Sequence, residues 1–452
     1  MSRLGLHTRL RPHRRRPVDR SADGLAALIR TVRSLLLFES AMYSALTPVL
    51  PHYARVLHAG KPALGLLVAG YPAGLIPGAL LGGWLASRQG VRRTTIAGLV
   101  GFGVAIAGFG LSSPIAVLDL LRVAQGAFCG LIWGGGLTWL IAAAPVARRG
   151  AAIGGAIGAA TFGTLLGPLL GTLAVALGPA VVFCATGIVA FALAAWAASH
   201  PEPARGRAAR ADAPERSIVD QLRAALAAGG YGIGGWLILL EAIFFGAAGV
   251  LLPLRMADLG VPGWAIGATF VAASALSTAL SPLIGRGVDR RGARRTMLAG
   301  LIAGVPLVAV MMVPHDPALL VGLAVLALGA PMTAATIPAV TLMTDATERA
   351  DVTLLIATTT VNLAYAVGET IGAPFAASLS SVAGDLVPLF VIAALMAVTF
   401  GLARRERPAA ASPAGPAKAD APAGTTAAGD PVACRSAGAS RRRARTSEPL
   451  RR

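Results

Sequence analysis

Long apolar runs separated by short basic stretches constrain this chain more than any other feature of its sequence. Most runs approach or exceed the roughly 20 residues that cross the hydrocarbon core of a bilayer as a helix. Only 13% of the residues are charged and 55% are apolar, whereas about a quarter are charged in a soluble domain. This composition argues against a large soluble enzyme, whose surface so little charge could not cover. Because lipid offers the backbone no hydrogen-bond partners and no barrel-type alternation is present, the runs are predicted to be helices.

The runs predict an all-α membrane protein with twelve transmembrane helices. The predicted segments are 34–54, 64–86, 94–112, 116–143, 151–176, 180–199, 233–254, 265–285, 296–313, 317–343, 353–380 and 385–403.

The distribution of positive charge supports this count and sets the orientation. With the N-terminus inside, 36 of the 40 Lys and Arg residues fall in inside segments, as the positive-inside rule requires. Only Arg55, Lys61 and Arg255 fall outside, and Arg122 lies within a segment. We expect a multi-pass protein of the plasma membrane with both termini cytoplasmic. A nucleic-acid partner is rejected despite the net charge of +19, because the charge would then gather on one soluble face.

The sequence repeats itself at an offset of 202 residues: RRTTIAGLV at 92–100 corresponds to RRTMLAGLI at 294–302. Such a repeat predicts two pseudo-symmetric six-helix bundles with a substrate site between them at the midplane. The predicted divisions are a basic cytoplasmic tail (1–33), an N-terminal bundle (34–199), a cytoplasmic linker (200–232), a C-terminal bundle (233–404) and a disordered basic tail (405–452).

Two related loops follow the second and eighth segments, GGWLASRQGVRR and GRGVDRRGARR. They resemble the loop signature of the major facilitator superfamily, and the resemblance extends over roughly residues 30–404. It implies the major facilitator fold and a charge latch that closes one face, although Ser87 stands where the first copy should have Asp. The alternative is that the arginines only set the topology. The signature positions, including the substituted Ser87, are Gly83, Ser87, Arg88, Gly90, Arg92, Gly285, Asp289, Arg290, Gly292 and Arg294.

The fourth segment contains the Arg-x-x-Gln-Gly signature of the family, with Arg122 and Gln125 one helical turn apart and Asp119 one turn earlier. A lone Arg in a membrane helix costs at least about 2.5 kcal/mol. Two interpretations remain open. Arg122 either pairs structurally with Asp119, or it couples substrate or proton binding to carboxylates on other helices.

The fifth segment carries the spacing of the superfamily's antiporter motif, with Thr172 in place of its last glycine. The resemblance implies a drug:proton antiporter, in which close packing of this helix seals the protein against leak. Ordinary small-residue helix packing is the alternative. The motif positions are Gly154, Gly163, Gly167, Pro168 and Gly171.

Acidic residues within the apolar segments are the candidates for proton coupling: Glu39, Asp119, Glu241 and Glu369. The resemblance implies that their helices line or approach the central cavity, where one carboxyl could bind a proton and a cationic substrate in turn. Glu39 is the first candidate, although it could instead extend to the inner interface. Residues expected to line the cavity beside these groups are Tyr43, Asn362 and Tyr365.

Together these features predict a secondary transporter that exports lipophilic or cationic small molecules in exchange for protons by alternating access. Its partners would be a small-molecule substrate, protons and the lipid bilayer, and it would act as a monomer. The sequence has no Walker-type loop and no helical His pair for a metal, so we expect no enzyme activity and no cofactor, with the proton gradient as the energy source. Export of a metabolite, such as an amino acid, sugar or siderophore, and a non-transporting sensor or scaffold remain alternatives.

Overall fold

A computed structural model describes residues 20–145, 149–201 and 217–405, and within these ranges the regular structure is helical, with no strand. Most of the two predicted tails and half of the predicted linker, at 1–19, 202–216 and 406–452, lie outside the described residues.

The first half of the described chain contains seven α-helices and one short 3₁₀ helix. They are α1 (Arg20–Ser44), the 3₁₀ helix (Thr47–Val49), α2 (Leu50–Val56), α3 (Lys61–Gln89), α4 (Val91–Leu111), α5 (Ile115–Ala143), α6 (Arg149–Leu177) and α7 (Pro179–Ala198).

The second half repeats this arrangement after a short helix, α8, in the predicted linker. The helices are α8 (Ile218–Ala227), α9 (Tyr231–Asp258), α10 (Gly263–Arg291), α11 (Ala293–Val310), α12 (Pro317–Gly329), α13 (Pro331–Arg349), α14 (Leu354–Ala383) and α15 (Leu386–Arg405).

Two predicted segments are interrupted in the structure, which corrects their prediction as continuous helices. The first is divided into α1, the 3₁₀ helix and α2, where Pro48 and Pro51 remove backbone donors. The tenth is divided at Ala330, where φ is −108°, because Pro331 has no backbone N–H to continue the helical hydrogen bonds. The structure also adds helix where none was predicted: α1 begins at Arg20, inside the predicted tail, and α8 begins after Ser217, whose hydroxyl accepts a hydrogen bond from the Asp220 amide.

Ten spans in the described chain are long and apolar enough to cross a membrane by length and composition. The first and eleventh of the twelve predicted segments, which correspond to α1–α2 and α14, do not meet that criterion. Charged residues interrupt α1, and Asn362 and Glu369 lower the hydropathy of α14. Both nevertheless pack within the bundle, α1 against α6 and α14 against α9 and α3, which completes the twelve-span architecture. The two predicted spans that do not meet the criterion are therefore those that carry Glu39 and Glu369.

Backbone contact at glycines holds the central helices together. A Cβ atom on Gly163 or Gly171 of α6 would overlap the carbonyl oxygens of Leu37 or Ala45 around α1. In the second half, a Cβ on Gly372 of α14 would overlap the Ile243 backbone of α9 in the same way. Such close approach is how small residues promote helix association where the hydrophobic effect contributes nothing.

The two halves contact each other mainly at the end of the bundle opposite the loop signatures. Lys61 at the start of α3 forms an ion pair with Asp385, which precedes α15. Gly65 lies so close to α14 that a Cβ there would be 2.6 Å from the Ala377 Cβ. Gly267 of α10 faces Thr172 of α6 in the same manner. This end, which is the predicted outer end, is therefore closed.

Replacing Gly163 with Ala should destabilise the protein, because the added methyl group must separate α6 from α1. Gly154→Ala is the matched control, because a Cβ at that position of the same helix would meet no atom of another described helix within 4 Å. We expect Gly163→Ala to cost about 1–3 kcal/mol, as overpacking does, and Gly154→Ala to leave stability unchanged or raise it. Thermal unfolding in detergent measures both, and equal midpoints for the two variants would refute the packing role of Gly163.

Breaking the Lys61–Asp385 ion pair should open the predicted outer end more often. Asp385→Asn is expected to lengthen the distance between spin labels on the adjoining ends of α3 and α14, measured by pulsed electron paramagnetic resonance. The exchanged pair Lys61→Asp with Asp385→Lys should restore the wild-type distance. Distances that are unchanged in Asp385→Asn would mean that the pair does not hold this end closed.

Candidate functional site

A cavity of about 650 Å³ lies between the two halves, at the centre of the bundle. Its wall includes residues of α1, α3, α5 and α6 from the first half and of α9, α10, α12 and α14 from the second. Phe162, on the side of α6 that leads toward the loop signatures, is 53% exposed, whereas Pro168 and Ala273 farther along the wall are buried. The cavity is therefore open toward the predicted cytoplasmic end and closed at the other.

Glu369 lies in the cavity wall and forms a hydrogen bond across the two halves. Its Oε1 accepts a hydrogen bond from the Tyr43 hydroxyl of α1, and both residues line the cavity. The position of Glu369 is fixed by α9, because a Cβ on Gly246 would be 3.2 Å from the Glu369 Cα. This carboxyl of the second half is thus held at the interface between the halves.

Glu39 has a different environment, inside the first half. Its side chain is 2% exposed, and its two carboxylate oxygens accept hydrogen bonds from the Tyr71 hydroxyl of α3 and from Trp133 Nε1 of α5, the latter at 2.8 Å. The rings of Tyr71 and Tyr43 lie 5.1 Å apart between centroids. Tyr71, which bonds to Glu39, is therefore in aromatic contact with Tyr43, which bonds to Glu369.

Arg122 is buried beside the same aromatic pair and also lines the cavity. Its Nη1 donates a 2.9 Å hydrogen bond to Gln125 Oε1, as their one-turn spacing permits, and its guanidinium lies 4.7 Å from the centroid of the Tyr71 ring. The alternative pairing with Asp119 is absent: the described residues contain no ion pair of Arg122, and Asp119 Oδ1 is buried without a hydrogen-bond partner.

The remaining predicted positions differ in how they relate to the cavity. Tyr365 lines it with Glu369, whereas Asn362, one turn earlier, is exposed and does not contribute to the wall. Glu241 is buried within the second half, where it bonds to the Thr336 hydroxyl and its Oε2 has no partner. The symmetry between Glu39 and Glu241 therefore holds for position in the sequence but not for environment.

The loop signatures have symmetric contacts at the predicted cytoplasmic end. Arg92 donates to the Ala198 carbonyl at the end of α7, and Arg294 donates to the Ala403 carbonyl of α15, 2.8 Å from Nη2. A cation at a helix C-terminus satisfies free carbonyls and stabilises the helix dipole. Gly90 and Gly292 have φ values of 98° and 84°, which reverse the chain between helices.

The other signature residues make few contacts. Arg88 stacks on Trp84 at 4.5 Å, and Ser87 donates to the Trp84 carbonyl at 2.8 Å. Asp289 and Arg290 are exposed, and a Cβ built on Gly83 or Gly285 would meet no atom of another described helix within 4 Å. Asp289 makes no ion pair with any residue that the structure describes. A latch through Asp289 stays a prediction for a state in which this end is closed.

The antiporter-motif residues of α6 divide into two groups. A Cβ on Gly163, Gly167 or Gly171 would overlap atoms of α1 or of the segment that follows it, and Ser44 donates to the Thr164 carbonyl at 2.9 Å. Gly154 has free space instead. Thr172, at the position where the motif has its last glycine, faces Gly267 of the other half, so the glycine is supplied by the opposing helix.

Sequence reasoning missed Tyr71 as a site residue. Tyr71 is an aromatic residue with a polar tip in an apolar helix, a type that is usually hydrogen-bonded when buried. Its partner could not be inferred because Glu39 is on another helix. A second missed feature is the Lys61–Asp385 pair, which joins residues 324 positions apart.

Two six-helix repeats around a central cavity with buried ionisable groups define a membrane transporter of small molecules. The family model of the Major Facilitator Superfamily matches residues 34–246 and 234–446, and the chain belongs to this superfamily. No curated protein sequence matches the chain.

Solved transporter structures share the fold at low sequence identity. A bacterial homologue of the human lysosomal transporter Spinster, inward-facing and unoccupied, has a TM-score of 0.68 at 14% identity, with 84% of this chain and 95% of that chain covered. The nucleoside transporter NupG has a TM-score of 0.69 at 11% identity, with 84% and 100% covered. The human organic anion transporter MFSD10 has a TM-score of 0.57 at 16% identity, with 84% and 99% covered.

The hydrogen bond between Tyr43 and Glu369 should couple the two residues energetically. Single variants Tyr43→Phe and Glu369→Gln and their combination form a double-mutant cycle on thermal unfolding. We expect a coupling of about 1.5–3 kcal/mol, the range of hydrogen bonds to charged groups. The cycle of Tyr43→Phe with Glu241→Gln is the control and should be additive, and additivity in both cycles would contradict the contact.

Proposed function

We propose that this transporter is a proton-coupled antiporter that exports lipophilic or cationic small molecules by alternating access. The observation that carries the proposal is the position of Glu369, a carboxyl in the cavity wall that is bonded across the halves to Tyr43. A carboxyl at this position meets both the substrate and the moving interface. Binding of a proton or of a cation at Glu369 can therefore bias how the halves are arranged.

The cavity wall suits a lipophilic substrate that is a cation or a hydrogen-bond donor. Phe162, Phe245 and Phe270 contribute aromatic surface, which attracts cations and flat apolar groups. Several hydroxyls in the wall already donate to their own helices: Thr161 to the Ile157 carbonyl at 3.1 Å and Thr278 to the Ser274 carbonyl at 2.9 Å. Their lone pairs remain available, so these hydroxyls can accept hydrogen bonds from a substrate.

Exchange rather than co-transport is supported by the close packing of α6 on α1, which is the feature that the resemblance associates with antiporters. In this proposal both termini lie in the cytoplasm, the membrane is the plasma membrane, and one chain is the transport unit. The excess of Lys and Arg in the predicted inside segments supports that orientation.

A metabolite exporter is the second candidate, favoured by the hydroxyl groups of Ser44, Thr47, Ser274 and Ser277 in the wall. A polar substrate would use these groups as well as Glu369. The two candidates are distinguished by a panel of compounds of increasing hydrophobicity. The transport rate should rise with hydrophobicity for a drug exporter and fall with it for a metabolite exporter.

Efflux should be lost when the cavity carboxyl is removed. The assay uses everted vesicles that hold a proton gradient and a pH-sensitive dye. In vesicles with the wild-type protein, lipophilic cations should dissipate the gradient by exchange and thereby restore the fluorescence of the dye. Glu369→Gln is expected to reduce the rate at least about tenfold, since removal of a proton-exchanging group is worth more than 1.4 kcal/mol in an equilibrium or barrier. Asp220→Asn, an exposed acid of α8, is the control. Full dequenching with Glu369→Gln, or none with correctly inserted wild type across a broad panel, would contradict the proposal.

A further inference from the structure

The guanidinium of Arg122 is the least satisfied charge in the described part of the cavity wall. The residue is only 4% exposed. Gln125 is its one hydrogen-bond partner among the described residues, through Nη1. No described carboxylate lies within ion-pair distance of it, and its Nε is buried without a partner.

A buried cation without an anion is unfavourable, because desolvation is not offset by a pair. Arg carries five N–H donors and cannot give up its charge in a protein. Stacking on Tyr71 and the bond to Gln125 together engage one face and one nitrogen of the group. Unused donor capacity therefore remains on a side chain that lines the cavity.

Neighbouring contacts hold this group in one place. A Cβ on Gly70 of α3 would be 3.1 Å from the Arg122 Cβ. A Cβ on Gly74 or Gly126 would overlap backbone atoms of the facing helix, so α3 and α5 are in direct backbone contact around Arg122. A cation fixed in this way is preorganised for a ligand, since little side-chain entropy is lost on binding.

From these contacts we infer that Arg122 is an anion subsite of the central cavity, and that it binds a carboxylate group of the transported molecule. A planar carboxylate accepts two parallel hydrogen bonds from the fork of a guanidinium, and its single negative charge offsets the single positive charge of Arg122. The inference rests on the proposed function and narrows its substrate class to lipophilic molecules that bear a carboxylate. A cationic group of the same molecule would face Glu369, the other charged residue of the described wall.

Three naphthalene probes of nearly equal size test this subsite in the purified full-length protein. They are 2-naphthoate, 2-naphthalenemethanol and 2-naphthylmethylammonium, titrated at neutral pH with thermal unfolding as the readout. For the wild type we expect the carboxylate to raise the unfolding midpoint at lower concentration than the alcohol does. Equal titration curves for naphthoate and the alcohol would overturn the inference, and this comparison needs no variant to fold.

Variants then assign the effect to Arg122. In Arg122→Gln, naphthoate should bind on the order of thirtyfold more weakly or worse, as expected when one partner of a buried charged pair is truncated. The ammonium probe should retain its affinity. Arg122→Lys keeps the charge but not the fork and should bind naphthoate with intermediate affinity. Arg223→Gln removes an equal charge from α8, outside the cavity, and should behave as the wild type.

Unchanged naphthoate affinity in Arg122→Gln would also overturn the inference. The outcome is separable from that of the vesicle experiment. If the wild type binds naphthoate no better than the alcohol but still shows proton-linked efflux, only the anion subsite is refuted. If it prefers naphthoate but shows no proton-linked efflux, only the antiport proposal is refuted.

Discussion

Direct backbone contact between helices is the constraint on which the centre of this protein depends. Glycines of α6 allow α1 to approach, glycines of α3 and α5 meet each other, and Gly372 of α14 meets α9. Each of these contacts brings a polar side chain to the middle of the bundle: Tyr43 on α1, Arg122 on α5 and Glu369 on α14. Without the small residues, the helices would stand farther apart, and neither the hydrogen bond between Tyr43 and Glu369 nor the stacking of Arg122 on Tyr71 could form in an apolar surrounding.

The polar groups form a connected path rather than isolated sites. Glu39 is bonded to Tyr71, the Tyr71 ring lies against Tyr43 and under Arg122, and Tyr43 is bonded to Glu369 in the other half. Only the last of these contacts crosses the interface between the halves. Under the proposed mechanism, a change in the charge of Glu369 would act directly on this interface, whereas Glu39 would act on it only through the aromatic pair. This division of roles favours Glu369 as the group that meets substrate and Glu39 as a more remote acid.

Much of the architecture follows from the sequence, because the apolar runs, the blocked charge and the repeat all depend on local pattern. The fold predicted from them is confirmed, as is the family that the loop signatures resemble. The bond between Arg122 and Gln125 also follows from local spacing. Contacts between helices do not follow, because a local pattern carries no information on how α1, α3 and α5 are rotated about their axes. For this reason Tyr71 is missed and the expected alternative pairing of Asp119 with Arg122 is absent. Asn362 lies on the same face of α14 as Glu369 but two turns away, where it is exposed and outside the cavity wall. The two prolines that interrupt the first segment were visible, but their effect depends on whether neighbouring helices satisfy the freed backbone groups.

The central claim is that one carboxyl, Glu369, serves both proton and cationic substrate. Proton release on binding tests it most directly. The probe is tetraphenylphosphonium, a lipophilic cation that carries no proton. It would be added to purified protein in weakly buffered solution, at the pH where its binding is half-maximal, with a pH dye as the reporter. The account predicts that binding releases protons in the wild type and in Asp220→Asn, and releases none in Glu369→Gln. Binding of the cation to the wild type without any proton release would contradict it.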